Sequence, residues 1–246
     1  RELDNSPEAI ACKYTLNRKQ YVALRIVADV LFAEIEAALN PESERPAPLR
    51  MFIGGSGGTG KSVVITAIQE LFERQGYAAW LHTCAPTGTA AFNVRGHTVY
   101  SLLGLSWKKV APDDSGEGVS GNTATRNKVA EMLRECKCLI VDEASMVGAG
   151  TVAASDASIK KAKGGSADTS FGGLHVIFVG DFRQLKPIRR RSMFNPNAAD
   201  PGHASSQGQK DVSLANRTGR ELFMETDTVI FLDEQMRQRD DPEYGE

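Results

Sequence analysis

One stretch constrains this chain more than any other: Phe52-Ile53-Gly54-Gly55-Ser56-Gly57-Gly58-Thr59-Gly60-Lys61-Ser62. Counted from Gly55 it has the spacing G-x-x-x-x-G-K-S of a phosphate-binding loop. An apolar run, Leu49 to Ile53, precedes it and suits a buried strand. A run at helical spacing follows: Val64, Ile65, Ile68, Leu71 and Phe72. The loop therefore joins a strand end to a helix start, where unpaired N–H groups of the first turn face an anion. Gly55, Gly57, Gly58 and Gly60, with Thr59 between them, let the backbone wrap a phosphate without Cβ clashes. Lys61 would reach the β- and γ-phosphates of ATP, and the Ser62 hydroxyl would hold Mg²⁺. The competing interpretation is a glycine-rich turn with a solvated lysine, and the strand–loop–helix context disfavours it.

Composition sets wider bounds. With 246 residues, 41% hydrophobic and 24% charged, the chain suits one large domain or two small ones. A net charge of −2 excludes a protein that is basic throughout, so any nucleic-acid contact must be local. Cys12, Cys84, Cys136 and Cys138 form no C-x-x-C pair and no zinc spacing. Three of them border or enter apolar runs, which favours reduced thiols and an intracellular compartment. No apolar run approaches a membrane span, and no signal peptide is visible. The first residue is Arg1 rather than Met, as expected of a piece of something longer.

Along the chain, residues 1–15 read as a loose polar lead-in. Asn17 to Leu39 reads as an amphipathic helix with Leu24, Val27, Val30, Leu31, Ile35 and Leu39 on one face, and Asn17 and Gln20 stand at capping-box spacing. A Pro-rich linker (41–48) leads to the phosphate loop, whose helix Gly76 closes. Tyr77 to Cys84 reads as a strand that includes Trp80. Short helices are expected at Ala90 to Phe92 and Val99 to Leu105, then a surface loop over 107–124 and a helix at Asn127 to Arg134. Cys138 to Val141 is a fully apolar run, hence a buried parallel strand. A small, polar helix over 149–161 follows, its packing an open question. Leu174 to Val179 is another buried strand. Residues 188–213 read as irregular, then come a short helix (Arg217 to Met224) and a strand (Val229 to Leu232). Alternating strands and helices give an α/β parallel sheet with its site at the strand C-termini.

Two further constellations follow buried strands. Leu139-Ile140-Val141 ends in Asp142-Glu143, a Walker B arrangement. Asp142 would hold Mg²⁺ through water, and Glu143 would polarise an attacking water. Val179-Gly180-Asp181-Phe182-Arg183-Gln184 places an amide, Gln184, where it can bond a γ-phosphate; an ordinary turn with a satisfied Asp181 fits equally well.

The motifs and their order resemble superfamily-one DNA helicases of the Pif (petite integration frequency) type, Helitron-type relatives included. The resemblance rests on the phosphate loop, Ala85-Pro86-Thr87-Gly88-Thr89-Ala90-Ala91-Phe92, Gly96-His97-Thr98-Val99-Tyr100-Ser101, Val141-Asp142-Glu143-Ala144-Ser145-Met146, Phe171 through Pro187, and Met236-Arg237-Gln238. It extends from about residue 16 to the C-terminus and implies a RecA-like ATPase lobe over 16–246, without the second RecA-like lobe that is its expected partner. It implies that Gln20 reads adenine, while the capping box remains open for the same side chain. It implies that Thr87, Gly88 and Thr89 grip single-stranded DNA phosphates and that His97 is a second strand contact. Arg237 would cross the cleft to the γ-phosphate; apart from the resemblance it is a solvated arginine. The basic patches Lys160-Lys161-Ala162-Lys163 and Arg189-Arg190-Arg191 read first as solvated faces. Among aromatic residues Trp107 is the better base-stacking candidate and Trp80 reads as core.

The expected function is thus the ATP- and Mg²⁺-dependent lobe of a 5′-to-3′ DNA helicase, with family roles in repair, recombination or telomere maintenance. A nuclear location is expected, a mitochondrial one the alternative. Two rivals remain: a P-loop ATPase that does not unwind DNA, and a binding remnant without turnover.

Overall fold

The computed structural model describes residues 5–106, 123–164, 169–184, 192–193 and 207–236. The sheet is wholly parallel, with strand order β3-β2-β4-β5-β1-β6. The strands are β1 (Arg50–Gly55), β2 (Leu81–Ala85), β3 (His97–Thr98), β4 (Cys138–Val141), β5 (His175–Gly180) and β6 (Thr228–Leu232). The helices are α1 (Pro7–Lys13), α2 (Arg18–Leu39), α3 (Lys61–Arg74), α4 (Gly88–Asn93), α5 (Val99–Leu102), α6 (Thr123–Leu133), α7 (Ala149–Lys163) and α8 (Gln207–Met224).

The apolar runs read as buried strands because both sheet faces are covered. Side chains alternate across a strand. Met51, Ile53, Cys138, Ile140, Ile177 and Val179 join one buried cluster with residues of α1, α2 and α3. Phe52, Leu139, Val141, Val176 and Phe178 join a second with residues of α5, α6, α7 and α8. The site lies at the carboxyl edge between these layers, because every strand ends there.

Several elements differ from the sequence reading. The lead-in is not loose throughout. Ser6 caps α1, Pro7 starts it, and Ile10 is fully buried. Lys13 and Tyr14 bond Glu70 of α3, which fastens α1 to the main body. The second strand begins only at Leu81, because Ala78–Trp80 forms a 3₁₀ turn. Trp80 packs there against the apolar cluster and on Tyr77, with ring centroids 4.2 Å apart. Leu39, expected inward, is exposed. The last helix is longer than Arg217 to Met224, running from Gln207.

The small, polar composition of α7 is what its packing requires. A Cβ built on Gly219 of α8 would stand 1.7 Å from the Ala149 carbonyl oxygen, so the two backbones nearly touch. Asn216 Oδ1 accepts from Gly150 N at 3.1 Å, Ser155 Oγ donates within its own helix, and Ser158 Oγ donates to Leu103 O. The lysines of this helix are mostly engaged inside the fold. Lys160 pairs with Asp156, and Lys163 Nζ donates to the Leu133 and Cys136 carbonyls at the end of α6. Residues 107–122 of the loop expected over 107–124, Trp107 among them, Arg189 to Arg191 and Arg237 lie outside the described residues, while residues 123–124 open α6 rather than belonging to a loop.

Candidate active site

The phosphate loop sits between β1 and α3 as its pattern demands. Gly58 and Gly60 hold φ at 87° and 81°, a region that favours glycine. Gly60 is the N-cap of α3, so the first-turn N–H groups have no side-chain cap and face the loop mouth. Lys61 Nζ donates to Gly55 O (2.7 Å) and Ser56 O (3.1 Å), across the same mouth. Thr59 is fully buried, its hydroxyl donating to Ser56 O. Ser62 is exposed in the first turn of α3.

Gln20 meets this loop from α2. Its Oε1 accepts from Asn17 N and Asn17 Oδ1 accepts from Gln20 N, both at 2.9 Å, completing the capping box. Its Nε2 donates to Thr59 O at 3.0 Å. The amide is 1% exposed and would collide with any side chain at Gly60. The capping-box reading of Gln20 holds, and the same side chain braces the phosphate cradle, so both its amide oxygen and its nitrogen are bonded inside the fold.

The residues that follow β6 close over the same loop. Met236 N donates to Gly58 O at 2.9 Å, and Gln235 Nε2 donates to Ser56 Oγ at 3.1 Å. Met236 belongs to a segment that the resemblance marks, whereas Gln235 carries no signal, because its approach depends on β6 pairing with β1 in parallel register.

Asp142 and Glu143 follow β4. Asp142 N donates to Cys84 O, joining this corner to the end of β2. Burial pushes the Asp142 carboxyl up to about 6; the charge of Glu143 adds to that, while the backbone bond from Glu143 and the charge of Lys61 oppose it. Glu143 itself holds φ 49° and ψ 41°, a left-handed conformation uncommon outside glycine. Gly180 on β5 permits this turn, since a Cβ there would stand 3.1 Å from Ala144 N. The Asp181 carboxylate accepts from Arg183 N, so the ordinary-turn interpretation holds for Asp181. Gln184 nonetheless reaches the phosphate loop: its Nε2 lies 3.3 Å from where a Gly57 Cβ would be.

A buried oxygen donor near a lysine and a phosphate loop fits Mg²⁺, which takes few protein ligands and completes its shell with phosphate and water. The Asp142 carboxyl, held above its ordinary range by burial, is one that a cation relieves.

Beside this cradle, β2 runs into α4. Thr87 is the N-cap, its Oγ1 accepting from Ala90 N at 3.2 Å, which leaves the hydroxyl proton for another acceptor. Thr87, Gly88, Thr89 and His97 are all exposed. The pairing Cys84↔His97 sets His97 next to the end of β2.

A phosphate loop, an acidic pair and an amide gathered at the carboxyl edge of one parallel sheet define a P-loop fold of the RecA-like class. Within that class the chain belongs to the PIF1-like helicase family, whose model matches residues 29–201. The chain is 30% identical over 219 residues to the ATP-dependent DNA helicase PIF5 of Trypanosoma brucei brucei, covering 84% of this chain and 23% of that protein. It is 34% identical over 143 residues to the ATP-dependent DNA helicase PIF1 of Xenopus laevis, covering 58% of this chain and 21% of that one. The fold matches unliganded Pif1 from Bacteroides sp with a TM-score of 0.57 at 20% identity, over 91% of this chain and 42% of that one. A Bacteroides Pif1 helicase in complex with ADP-AlF3 and single-stranded DNA matches with a TM-score of 0.56 at 25% identity, over 85% of this chain and 43% of that one. The chain thus spans about a quarter or less of the length of these two curated relatives.

Proposed function

We propose that this lobe binds ATP with Mg²⁺ and single-stranded DNA, and that in the longer protein it drives DNA unwinding in the 5′-to-3′ direction. The observation that carries this reading is the junction of β2 and β4. The Asp142 N–H bonds Cys84 O, so the segment entering α4 and the acidic pair share one strand end. Strain from a bound strand on Thr87 to Thr89 has a short path to Asp142 and Glu143.

The roles follow from position. Lys61 and the first-turn N–H groups of α3 neutralise the β- and γ-phosphates. Ser62 and Asp142 would hold Mg²⁺, which supplies charge neutralisation on the phosphate oxygens. Glu143, which follows Asp142 in a left-handed turn, orients and deprotonates the attacking water. Gln184, against Gly57, responds to loss of the γ-phosphate. Arg237 would approach the same phosphate when a second RecA-like lobe closes on this one. Related Bacteroides Pif1 structures hold ADP-AlF4, ADP-AlF3 or single-stranded DNA, which supports the reading. Repair, recombination or telomere maintenance is the setting that the family suggests. The buried free thiols Cys84, Cys136 and Cys138 agree with a reducing compartment, nuclear or mitochondrial.

The test is phosphate release from ATP in Mg²⁺, with and without single-stranded DNA. The reading expects DNA to stimulate turnover, and Lys61→Ala and Glu143→Gln to abolish it. Turnover indifferent to DNA in both this chain and a longer version would favour the non-unwinding ATPase. Nucleotide binding without turnover in either would favour the remnant.

A further inference from the structure

We propose that Phe92 is a base-stacking contact for single-stranded DNA, a role that rests on the DNA-binding reading above. Phe92 is 84% exposed, the most exposed of the large hydrophobic side chains among the described residues. It is no loop-tip accident, because α4 orients it. Ala91 and Val94 are buried beneath that helix and fix its rotation. Gly88 and Thr89 precede Phe92 by four and three positions, so the three share one outward face. A Cβ on Gly88 would meet nothing within 4 Å, so that face is open.

The surroundings select the occupant. No acidic residue occurs between Glu73 and Asp113, although the chain carries 31 of them. Inside that interval Thr87, Thr89, Arg95 and His97 are exposed. Arg95 holds φ 50°, which turns the chain sharply between α4 and β3. An aromatic ring on a stretch of chain without carboxylates, beside exposed hydroxyls, an arginine and a histidine, suits a strand that offers a phosphate on one side and a base on the other. A purely apolar partner would leave Arg95 and His97 without a counterpart. The sequence favours Trp107 among the aromatic residues; Phe92 is hidden there by its place in a helical run.

The experiment measures binding of a labelled oligothymidylate, and of the same strand with abasic sites, by fluorescence anisotropy. It compares the unsubstituted chain, Phe92→Ala, Phe92→Tyr and Thr89→Ala. Phe92→Ala should weaken binding to the intact strand about tenfold, within the range of one base–aromatic stack. Phe92→Tyr should stay within about twofold. On the abasic strand the unsubstituted chain and Phe92→Ala should bind equally, and their salt dependence should match because no phosphate contact is lost. Thr89→Ala should weaken both strands alike. Intact-strand binding unchanged in Phe92→Ala would overturn the proposal while the Thr89 result upheld the DNA reading. An equal loss on both strands, or self-association abolished by Phe92→Ala, would overturn it too. An unsubstituted chain that binds neither strand would remove the DNA reading and this inference with it.

Discussion

Gln20 shows how one side chain can serve two neighbours. Its carbonyl oxygen closes the α2 capping box and its amide holds Thr59 O. Gln20→Ala takes the partner from the buried Thr59 carbonyl and the half-buried Asn17 N–H and should cost about 1–3 kcal/mol. It should also weaken ATP binding, because the loop loses its brace. A denaturation midpoint equal to wild type would contradict this role. A second residue, Glu34, governs acid stability at the opposite end of the sheet. Leu49 N donates to His175 Nδ1, so the ring's proton sits on Nε2, 3.2 Å from Glu34 Oε1. Lys137 Nζ stands 3.2 Å from Oε2, near enough for charge pairing though not aligned as a hydrogen bond. The His175 bond, helped by Lys137 and opposed by burial, holds the Glu34 carboxyl down to about 2. A depressed carboxyl contributes stability above its unfolded value and loses it as pH falls through the folded one. Wild type should therefore exceed Glu34→Gln by roughly 3 kcal/mol near pH 6. The gap should close as pH drops from about 4.5 toward 2, in urea melts at each pH. The loop glycines and Lys61 were legible because the motif names them. The left-handed backbone of Glu143 was not, because it depends on Gly180 meeting a different strand's turn.

At the scale of elements, α7 and α8 make the tightest contact in the fold. Their backbones meet at Gly219 and Ala149 with no space for a methyl group. Gly219→Ala should cost about 3 kcal/mol or more, since neither helix can yield alone. An unchanged Tm would show that the helices can part. The small residues of α7 looked like a packing weakness in the sequence because helix patterns weigh apolar bulk, whereas this interface depends on closeness. The helix α1 was missed for a related reason. Only Ile10 and Pro7 are buried on it, too few to mark a period, and its fastening to Glu70 spans 57 residues. Ile10→Ala should cost about 2–4 kcal/mol, measured by chemical denaturation. A loose lead-in would make the substitution neutral. By contrast β4 and β5 were read closely, because strands covered on both faces are apolar at nearly every position.

For the whole molecule, one sheet edge gathers nearly everything of consequence. The parallel order β3-β2-β4-β5-β1-β6 brings the Asp142 corner, the Gln184 turn and the phosphate loop to adjacent strand ends. Five of the six strands and the site's edge followed from alternating apolar runs; the two-residue β3 carries no apolar run to mark it. The convergence of α2 and the residues after β6 on the loop did not, since no local pattern encodes Gln20 and Met236 arriving together. The central claim is that this edge is a Mg²⁺–ATP site. Thermal unfolding with and without saturating Mg²⁺–ATP tests it most directly, in wild type and Lys61→Ala. Ligand at about a hundred times its Kd should stabilise the fold by about 2.7 kcal/mol, a rise of roughly 5–10 °C in Tm for a chain of this size. The account predicts that rise in wild type and little or none in Lys61→Ala. Equal shifts in both, or no shift in wild type, would contradict it.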